Sequence, residues 1–275
     1  MSWLEETKPD VIVNLCEGHK GVPQMEANVA AVFELMGLPF TGNTSKVLAL
    51  CQDKYMTKAV LRACGLPTPR SILVASCDLQ IDLDFPVIVK PNCEDGSLGI
   101  GMNAVVCDTD ELQQRVSAIV KRYEQPALIE EFIEGREFNI AIYDGIEPRA
   151  LPVSEIDFSR MPEATPHICS YEAKWHEDSL LFLRTPPICP APIDSSLMSR
   201  LQMIALEAFM DLGCRDYARV DFRVEDNGEI FILEVNPNPD ISRSAGYARA
   251  LAAAGIEYEE FWQSMIKKAK ARRSL

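Results

Sequence analysis

One stretch near the carboxyl end constrains the fold more than any other: YARVDFRVEDNGEIFILEVNPNPD, at residues 217–240. Polar and apolar residues alternate on both sides of Asn227-Gly228, a dipeptide typical of tight β-hairpin turns. A two-residue loop there would place Asp221 directly opposite Glu234. Because strand side chains alternate between two faces, both carboxylates would lie on one face. The other face is apolar and is predicted to pack into the core through Val220, Phe222, Val224, Phe231, Leu233 and Val235.

The polar face of this hairpin needs a source of positive charge. Carboxylates directly opposite each other on a sheet repel, and the same register places Arg219 opposite Asn236. Carboxylate and amide oxygens are hard ligands that suit Mg²⁺, so Asp221, Glu234 and Asn236 form a candidate metal site. The alternative is a solvated sheet face whose charges are neutralised by Arg219 and Arg223.

The overall charge narrows the classes of function. The chain has 275 residues and a net charge of −14 at pH 7, which argues against nucleic-acid and anionic-membrane partners. A phosphorylated ligand that arrives with a divalent metal remains compatible with this acidity. The N-terminus is polar, and no apolar run approaches the ~20 residues that a membrane helix needs. Nine cysteines without a C-x-x-C pair are typical of reduced thiols, so we predict a cytoplasmic protein.

The first 65 residues have the pattern of part of a doubly wound α/β unit. Residues 10–18 and 38–42 are predicted as two short strands separated by a helix over 23–37. Two further helices are predicted near 44–51 and 53–64. The unit begins as though its first strand and helix had been left off.

The remaining chain alternates strands and helices around one long irregular segment, residues 157–192. An irregular segment of this length in a compact domain is usually functional, disordered or wrongly assigned as irregular. Strands are predicted at 85–92 and as a pair within 127–145, and helices at 109–123, 195–212 and 258–272.

Two segments could hold a nucleotide beside the candidate metal site. Lys90 ends an apolar strand next to the loop 95–101, whose three glycines would let backbone N–H groups approach phosphate oxygens. The backbone from Glu130 to Ile133 could face an adenine edge, and Glu137 could bind ribose hydroxyls. The alternatives are a plain turn at 95–101 and ordinary surface charges for the glutamates.

Seven motifs occur in order along the chain: QDKYMTK, GLPTPR, FPVIVKPN with DGSLGI, LIEEFIEGREF, SYEAKW, GCRDYARVDF and LEVNPNPD. Their order and spacing resemble the ATP-grasp superfamily and, within it, the D-alanine–D-alanine ligase family. The resemblance implies an α/β and α+β fold in which two α+β subdomains clasp ATP. The implied parts are a partial N-terminal α/β domain (1–65), a small subdomain with the phosphate loop (66–133) and a large subdomain with the lid and metal site (134–275).

The resemblance also implies roles for individual residues. Lys54 and Lys90 would reach the ATP phosphates, and Lys174 would lie on a mobile loop that closes over them. Asp221, Glu234 and Asn236 would bind two Mg²⁺ ions, with Mn²⁺ as a substitute. Adenine and ribose contacts would come from Glu130, Phe132, Ile133 and Glu137. The residues expected to act in catalysis are Arg219, Lys174 and Ser97.

Several positions depart from the family pattern where it binds its substrates. The first strand, which carries the family's substrate-binding glutamate, is not found. Gly96 replaces one of two loop serines, Trp175 replaces a tyrosine, and Ala245 replaces the acceptor-loop serine. Arg243 in the acceptor loop suits a carboxylate-bearing partner, and the alternative is a solvated loop charge.

We therefore expect a ligase that phosphorylates a carboxylate to an acylphosphate and then joins it to an amine, acting on amino-acid-like small molecules. The alternatives are a genuine D-alanine–D-alanine ligase of peptidoglycan synthesis and a catalytically idle nucleotide-binding protein. A homodimer is the oligomer that the resemblance suggests.

Overall fold

The computed structural model describes residues 2–20, 22–76, 81–162 and 165–272. The amino-terminal region is mostly helical, with α1 (Ser2–Thr7), α2 (Glu26–Leu35), α3 (Ser45–Gln52) and α4 (Lys54–Ala63). The last two helices start at capping side chains, because Thr44 accepts a hydrogen bond from the backbone of Val47 and Asp53 from that of Met56. The predicted helices near 44–51 and 53–64 are thereby confirmed.

The two strands predicted in this region are wrong as strands. They reduce to one parallel bridge between Ile12 and Phe40. Ile12 N donates to Pro39 O at 2.8 Å, and Thr41 N donates to Ile12 O at 2.9 Å. Pro39 has no N–H, so it cannot donate a ladder hydrogen bond. The chain therefore crosses here as two extended segments with a single point of pairing.

A four-stranded antiparallel sheet follows, in the order β1-β4-β2-β3. Its elements are β1 (Ser71–Val74), β2 (Val87–Pro91), β3 (Val105–Val106), α5 (Thr109–Tyr123) and β4 (Ala127–Glu131). Helix α5 packs its buried face on this sheet through Leu112, Val116 and Ile119. Asp108 caps α5 by accepting from Glu111 N at 2.9 Å.

The second sheet has six antiparallel strands, in the order β10-β9-β5-β7-β8 with β6 beside β5. Its elements are β5 (Arg136–Asp144), β6 (Pro148–Ala150), β7 (Ser154–Ile156), α6 (Tyr171–Trp175), α7 (Leu180–Arg184), β8 (Pro187–Ile188), α8 (Ser195–Asp211), β9 (Tyr217–Val224), β10 (Ile230–Asn236), α9 (Gly246–Ala253) and α10 (Tyr258–Ala271). The strand pair predicted within 127–145 exists as β4 and β5, but the two strands belong to different sheets. Three of the small elements, α6, α7 and β8, lie inside the segment predicted as irregular.

The two faces of the large sheet differ in character. Phe138, Ile140 and Phe222 point into a core shared with α8 and with residues of α3 and α4. The opposite face carries polar residues, in register as Glu137 opposite Arg223, Asn139 opposite Asp221 and Ala141 opposite Arg219. Beyond Ala141 this face becomes apolar again and packs on α9 and α10 through Tyr143, Tyr217, Tyr247, Phe261 and Met265. The polar patch therefore has one apolar core on the other face of the sheet and a second apolar core beside it on the same face.

The hairpin of β9 and β10 differs from its predicted form near the turn. The loop has three residues, Asp226 to Gly228, because Glu225 N donates to Glu229 O at 3.0 Å. Gly228 has a φ of +84°, which closes a three-residue turn of the kind that ends in a left-handed residue. The predicted two-residue loop is wrong.

A β-bulge at Leu233 compensates for the longer turn. Ile232 pairs with Phe222, and the next paired residue is Glu234, opposite Asp221. The predicted pairing of the two carboxylates is therefore confirmed, as is that of Arg219 with Asn236. The predicted apolar face changes, because Phe231 and Leu233 leave the core and Ile230 and Ile232 occupy it.

Across the described ranges, no helix is long and apolar enough to cross a membrane. Helices α8 and α10 match the predictions at 195–212 and 258–272 to within a residue at either end. The three-part division at residues 65 and 133 stays a prediction.

Candidate active site

A cavity of about 600 Å³ lies where the two sheets meet, beneath the α6–α7 segment. Eleven of the twelve predicted site residues line it: Lys54, Lys90, Ser97, Glu130, Phe132, Ile133, Glu137, Lys174, Arg219, Asp221 and Glu234. The twelfth, Asn236, lies just behind them, and its Nδ2 donates to Asp221 Oδ2 at 3.1 Å. Residues from seven different strands and helices thus converge on one cavity.

The lysine end of the cavity, formed by Lys54, Lys90 and Glu130, is built around a buried carboxylate. Glu130 on β4 is fully buried. Its oxygens lie 2.9 Å from Lys90 Nζ on β2 and 3.2 Å from Lys58 Nζ on α4. Burial alone would raise the pKa of Glu130, but the two lysines outweigh it and lower the pKa. Glu130 is therefore ionised and committed to two cations, which the sequence does not predict.

Lys58 is a residue that the sequence reasoning missed. It is buried, and besides Glu130 its Nζ reaches the carbonyls of Ile232 at 3.3 Å and Leu233 at 2.8 Å. It therefore clamps the bulge of the β9–β10 hairpin to the small sheet. Burial lowers the pKa of Lys58 to about 8, against the attraction of Glu130. Its position one helical turn after Lys54 is the signal that could have revealed it.

Lys54 opens α4 and points at the phosphate loop. Its Nζ donates to the carbonyl of Glu94 and lies 3.8 Å from Asp95 Oδ1. In the loop, Gly96, Ser97 and Gly99 all have left-handed backbones, with φ of +61°, +62° and +78°. The N–H groups of Ser97 and Gly99 donate to no acceptor among the described residues. This backbone could therefore approach an anion closely.

Three contacts fasten the segment 168–176 onto the phosphate loop. Trp175 Nε1 donates to Gly96 O at 2.7 Å, and Tyr171 N donates to Ile100 O at 2.9 Å. Ser97 Oγ donates to the carbonyl of Cys169 at 2.9 Å. A Cβ on Gly96 would lie 3.3 Å from the indole, so glycine makes room for the ring. The Ser97 hydroxyl thus holds the segment in place in this state.

The paired carboxylates of the hairpin are neutralised by groups of the protein itself. Arg219 forms a two-pronged ion pair with Asp221, with both N–O distances at 2.7 Å. Burial alone would raise the pKa of Glu234, but Lys54, Lys90, Lys174 and Arg219 lower it to about 2. Glu234 is therefore ionised at neutral pH, and both acids are partly buried.

The donor set is chemically suited to a hard divalent cation. Two carboxylates and an amide lie on neighbouring strands, and oxygen atoms are the ligands that Mg²⁺ prefers. In this structure Asn236 presents its Nδ2 to both acids, at 3.1 Å and 3.4 Å, so its amide would turn to offer Oδ1. Among the described residues no group of three or more His, Cys, Asp or Glu forms a metal cluster.

Glu137 and its neighbours form the wall opposite Lys90. Arg223 Nη2 donates to Glu137 Oε2 at 2.8 Å and its guanidinium carbon lies 5.9 Å from the Phe132 ring centre. Burial raises the pKa of Glu137, although Arg223 opposes the shift. Ile133 is buried beside them. An apolar side chain, an aromatic ring and a carboxylate thus share one wall.

The other end of the cavity, the α9 end, is lined by Asp240, Ser244, Ala245, Gly246 and Arg249. Arg243, the arginine singled out from the sequence, does not line it. Arg243 is exposed, pairs with Glu259 and stacks over the Tyr258 ring at 4.6 Å. The arginine that reaches the cavity is Arg249, on a helix that the sequence analysis did not predict.

Comparison with known proteins identifies the family to which this chain belongs. Residues 71–267 match the family model described as D-ala D-ala ligase C-terminus. The chain belongs to the D-alanine–D-alanine ligase family. It is 36% identical to an uncharacterized protein, y4sG, of Sinorhizobium fredii (strain NBRC 101917 / NGR234), over 95% of this chain and 75% of that protein. It is 31% identical to a D-alanine–D-alanine ligase of Herminiimonas arsenicoxydans, over 89% of this chain and 72% of that protein.

Solved structures give the same family. A D-alanine–D-alanine ligase of Bacillus anthracis complexed with ATP superposes with a TM-score of 0.75 and 25% identity, over 98% of this chain and 82% of that one. The expected ATP-grasp fold is thus confirmed. As a member of the D-alanine–D-alanine ligase family, the protein is an enzyme that binds ATP and forms carbon–nitrogen bonds.

Proposed function

We propose that this enzyme uses ATP to activate the carboxylate of one amino-acid-like substrate as an acylphosphate and joins it to the amine of a second. The observation that carries the proposal is the convergence of three lysines and Arg219 around the two carboxylates of the hairpin in one covered cavity. Phosphoryl transfer needs positioned positive charge more than a nucleophilic side chain. The cavity supplies that charge from four separate elements.

In the proposed reaction a carboxylate oxygen attacks the γ-phosphorus of ATP and ADP leaves. The amine nitrogen then attacks the acyl carbon, phosphate leaves, and the nitrogen loses a proton as the amide forms. Lys54 and Lys90 would bind phosphate oxygens, together with the free N–H groups of Ser97 and Gly99. Arg219 would stabilise the charge that develops on the acyl oxygen.

Asp221, Glu234 and Asn236 would hold Mg²⁺, with Mn²⁺ as a substitute and two ions as the expected number. When bound, the metal supplies charge neutralisation between the phosphates. Adenine and ribose would lie against Phe132, Ile133, the Glu130 backbone and Glu137. The segment around Lys174 would exclude water from the acylphosphate, because its contacts with the phosphate loop cover the cavity.

We further propose that the substrates differ from two D-alanines. At the sequence level the nucleotide-binding motifs are kept, whereas Gly96, Trp175 and Ala245 stand at positions where the family pattern binds its substrates. The reaction is proposed to take place in the cytoplasm, consistent with ATP use and with eight described cysteines that are all free thiols. A homodimer stays a suggestion of the family resemblance.

The test is ADP release by the full chain with ATP, Mg²⁺ and pairs of amino acids, with product mass by mass spectrometry. Amide formation from a pair other than two D-alanines supports the proposal in full. Turnover with D-alanine alone identifies a D-alanine–D-alanine ligase instead. Nucleotide binding without amine-dependent turnover across the panel identifies an idle nucleotide-binding protein.

One variant tests the proposed metal site independently of the substrates. E234Q keeps the shape of the side chain and removes one charge, so the Mg²⁺ concentration for half-maximal activity should rise about tenfold or more. E229Q, on an exposed residue at the hairpin turn, is the matched control. An unchanged Mg²⁺ titration in E234Q would contradict the metal site.

A further inference from the structure

Lys58 lies at a junction of three separate parts of the chain. Its ammonium nitrogen lies 3.2 Å from a carboxylate oxygen of Glu130 on β4, and its side chain is 1% exposed. The same nitrogen donates to Thr68 Oγ1 at 3.0 Å, in the segment between α4 and β1, and to Leu233 O at 2.8 Å in β10. An ammonium has three N–H donors, so these acceptors match its full capacity. Lys58 does not line the cavity, and its charge is committed within the protein.

The two strands that Lys58 joins carry different parts of the proposed ATP site. After β4 the chain continues to Ile133 as the wall proposed to hold adenine. Leu233 is the unpaired residue of the bulge in β10, and the next residue, Glu234, is a proposed metal ligand. Strand β4 belongs to the small sheet and β10 to the large sheet. Lys58 thus connects the proposed adenine wall to the proposed metal ligands across the boundary between the two sheets.

The other contacts beside Lys58 do not make the same connection. Ile232 N donates to Pro67 O at 2.8 Å, and Thr68 Oγ1 donates to Ile232 O at 2.9 Å. Both contacts end on the residue before the bulge, and both come from a segment that precedes β1 rather than from β4. A bulge bends its strand, so a contact at Leu233 helps to set the direction of the chain that follows.

We infer that Lys58 is a positioning residue that couples the binding of adenine to the binding of the metal on the phosphates. The inference rests on the proposed placement of adenine and Mg²⁺, and it adds a residue that touches neither. ATP spans both positions in one molecule, so it binds both at full strength only when their separation is correct. Without Lys58 the two strands would be free to shift, and ATP would gain less affinity from the metal.

The experiment measures how strongly Mg²⁺ increases the affinity for a non-hydrolysable ATP analogue. Calorimetry gives the Kd of the analogue without and with Mg²⁺, and the ratio of the two values measures the coupling. In K58M this ratio should be about fivefold or more below that of wild type. A partly unfolded sample is recognised by its lowered stoichiometry, which calorimetry reports separately from Kd. K58Q, which keeps an amide donor, should show a smaller decrease and replaces K58M if that variant does not fold.

Inorganic tripolyphosphate separates the coupling from damage to the metal site. It offers phosphate oxygens to the metal but has no adenine, so it could follow β10 if the strand shifts. The gain in tripolyphosphate affinity on adding Mg²⁺ should therefore be the same in wild type and K58M. An equal decrease for tripolyphosphate and for the ATP analogue would overturn the inference, because Lys58 would then act on the metal site alone.

Two variants control for effects on the helix and on stability. Arg62, one turn after Lys58 on α4, is exposed and donates to Ser71 Oγ at 3.2 Å outside the cavity. Leu112 is buried in the core between α5 and the small sheet, so L112A destabilises that sheet without reaching the cavity. R62M and L112A should both keep the wild-type ratio. A ratio that decreases in L112A as much as in K58M would show that it follows stability, and would overturn the inference.

The outcomes distinguish this inference from the proposed function. A wild-type ratio that K58M leaves unchanged overturns the inference and leaves the proposed metal site intact. A wild type whose affinity for the analogue does not depend on Mg²⁺ contradicts the proposed metal site and the inference together. None of these measurements requires amide formation, so a failure of the proposed reaction does not affect them.

Discussion

At the lysine end of the cavity, two buried cations share one buried carboxylate, whereas at the α9 end one partly buried cation has none. Lys58 and Lys90 are satisfied by Glu130 before any ligand arrives. Among the described residues, Arg249 donates only to the backbone carbonyl of Ser244. The first arrangement fixes structure, because its charges are balanced within the chain. The second leaves binding energy available to a substrate, because the balancing charge must come from outside.

The largest expected effect is a difference in unfolding free energy between a variant at the lysine end and a variant at the α9 end. E130Q would leave two buried lysines without an anion, so the free energy of unfolding should fall by about 3 kcal/mol. R249M removes a charge that has no partner and should change it by less than ~1 kcal/mol. Urea denaturation of both variants measures the difference. Equal losses of unfolding free energy in the two variants would contradict the difference in charge balance between the two ends.

A second effect concerns pH. The pKa of Lys58 is lowered to about 8 in the folded chain, whereas an unfolded lysine has a pKa of about 10.4. Between these values the unfolded chain binds more protons, so stability contributed by this group rises with pH from about 8 to about 10. The gain should be about 1 to 3 kcal/mol and should be absent in K58M.

The measurement is urea denaturation at pH 7.5, 8.5 and 9.5, with each variant compared to wild type at the same pH. R249M is the control, because a guanidinium stays protonated across this range. A K58M profile parallel to that of wild type would show that Lys58 does not titrate in the folded chain as expected.

The smallest expected effect concerns a hydrogen bond that holds the segment 168–176 on the loop 95–101. W175F keeps an aromatic ring and loses the indole N–H that donates to Gly96 O. One neutral hydrogen bond contributes about 1 kcal/mol, so the phosphate released in excess of amide, per amide formed, should rise by about fivefold. An unchanged excess of phosphate per amide would mean that this contact does not protect the intermediate. W262F, on α10 away from the cavity, is the matched control.

The sequence predicts the lysine end far better than the α9 end, for physical reasons. The alternation of each strand predicts that Asp221 and Glu234 lie on polar faces, because strand periodicity is local. Their predicted pairing is correct because the bulge at Leu233 offsets the wrong loop length. The bulge itself cannot be predicted in this way, since the extra residue depends on the three-residue turn and on Lys58 from a distant helix. Glu130 is recognisable as a site position, but its two lysines meet only in the folded chain.

Arg249 was missed because the start of α9 lacks the usual sequence signals. The residue before the helix is Ala245, which provides no side-chain cap, and the first helical residue is Gly246. Serine, threonine, aspartate or asparagine at that position would have marked a helix start. Without the helix, Arg243 and Arg249 are equivalent loop arginines, and only the fold distinguishes the exposed one from the one facing the cavity.

The bulge at Leu233 also determines which changes in chain length this hairpin could accept. Removing Leu233 would turn the irregular pairing into an uninterrupted ladder, with Ile232 and Glu234 still opposite Phe222 and Asp221. Removing Glu234 would instead place Leu233 opposite Asp221, so the acidic pair would be lost while Val235 and Asn236 kept their partners. Because Leu233 is unpaired, the hairpin can lose one residue between the turn and the acidic pair without losing the pairing of Asp221 with Glu234.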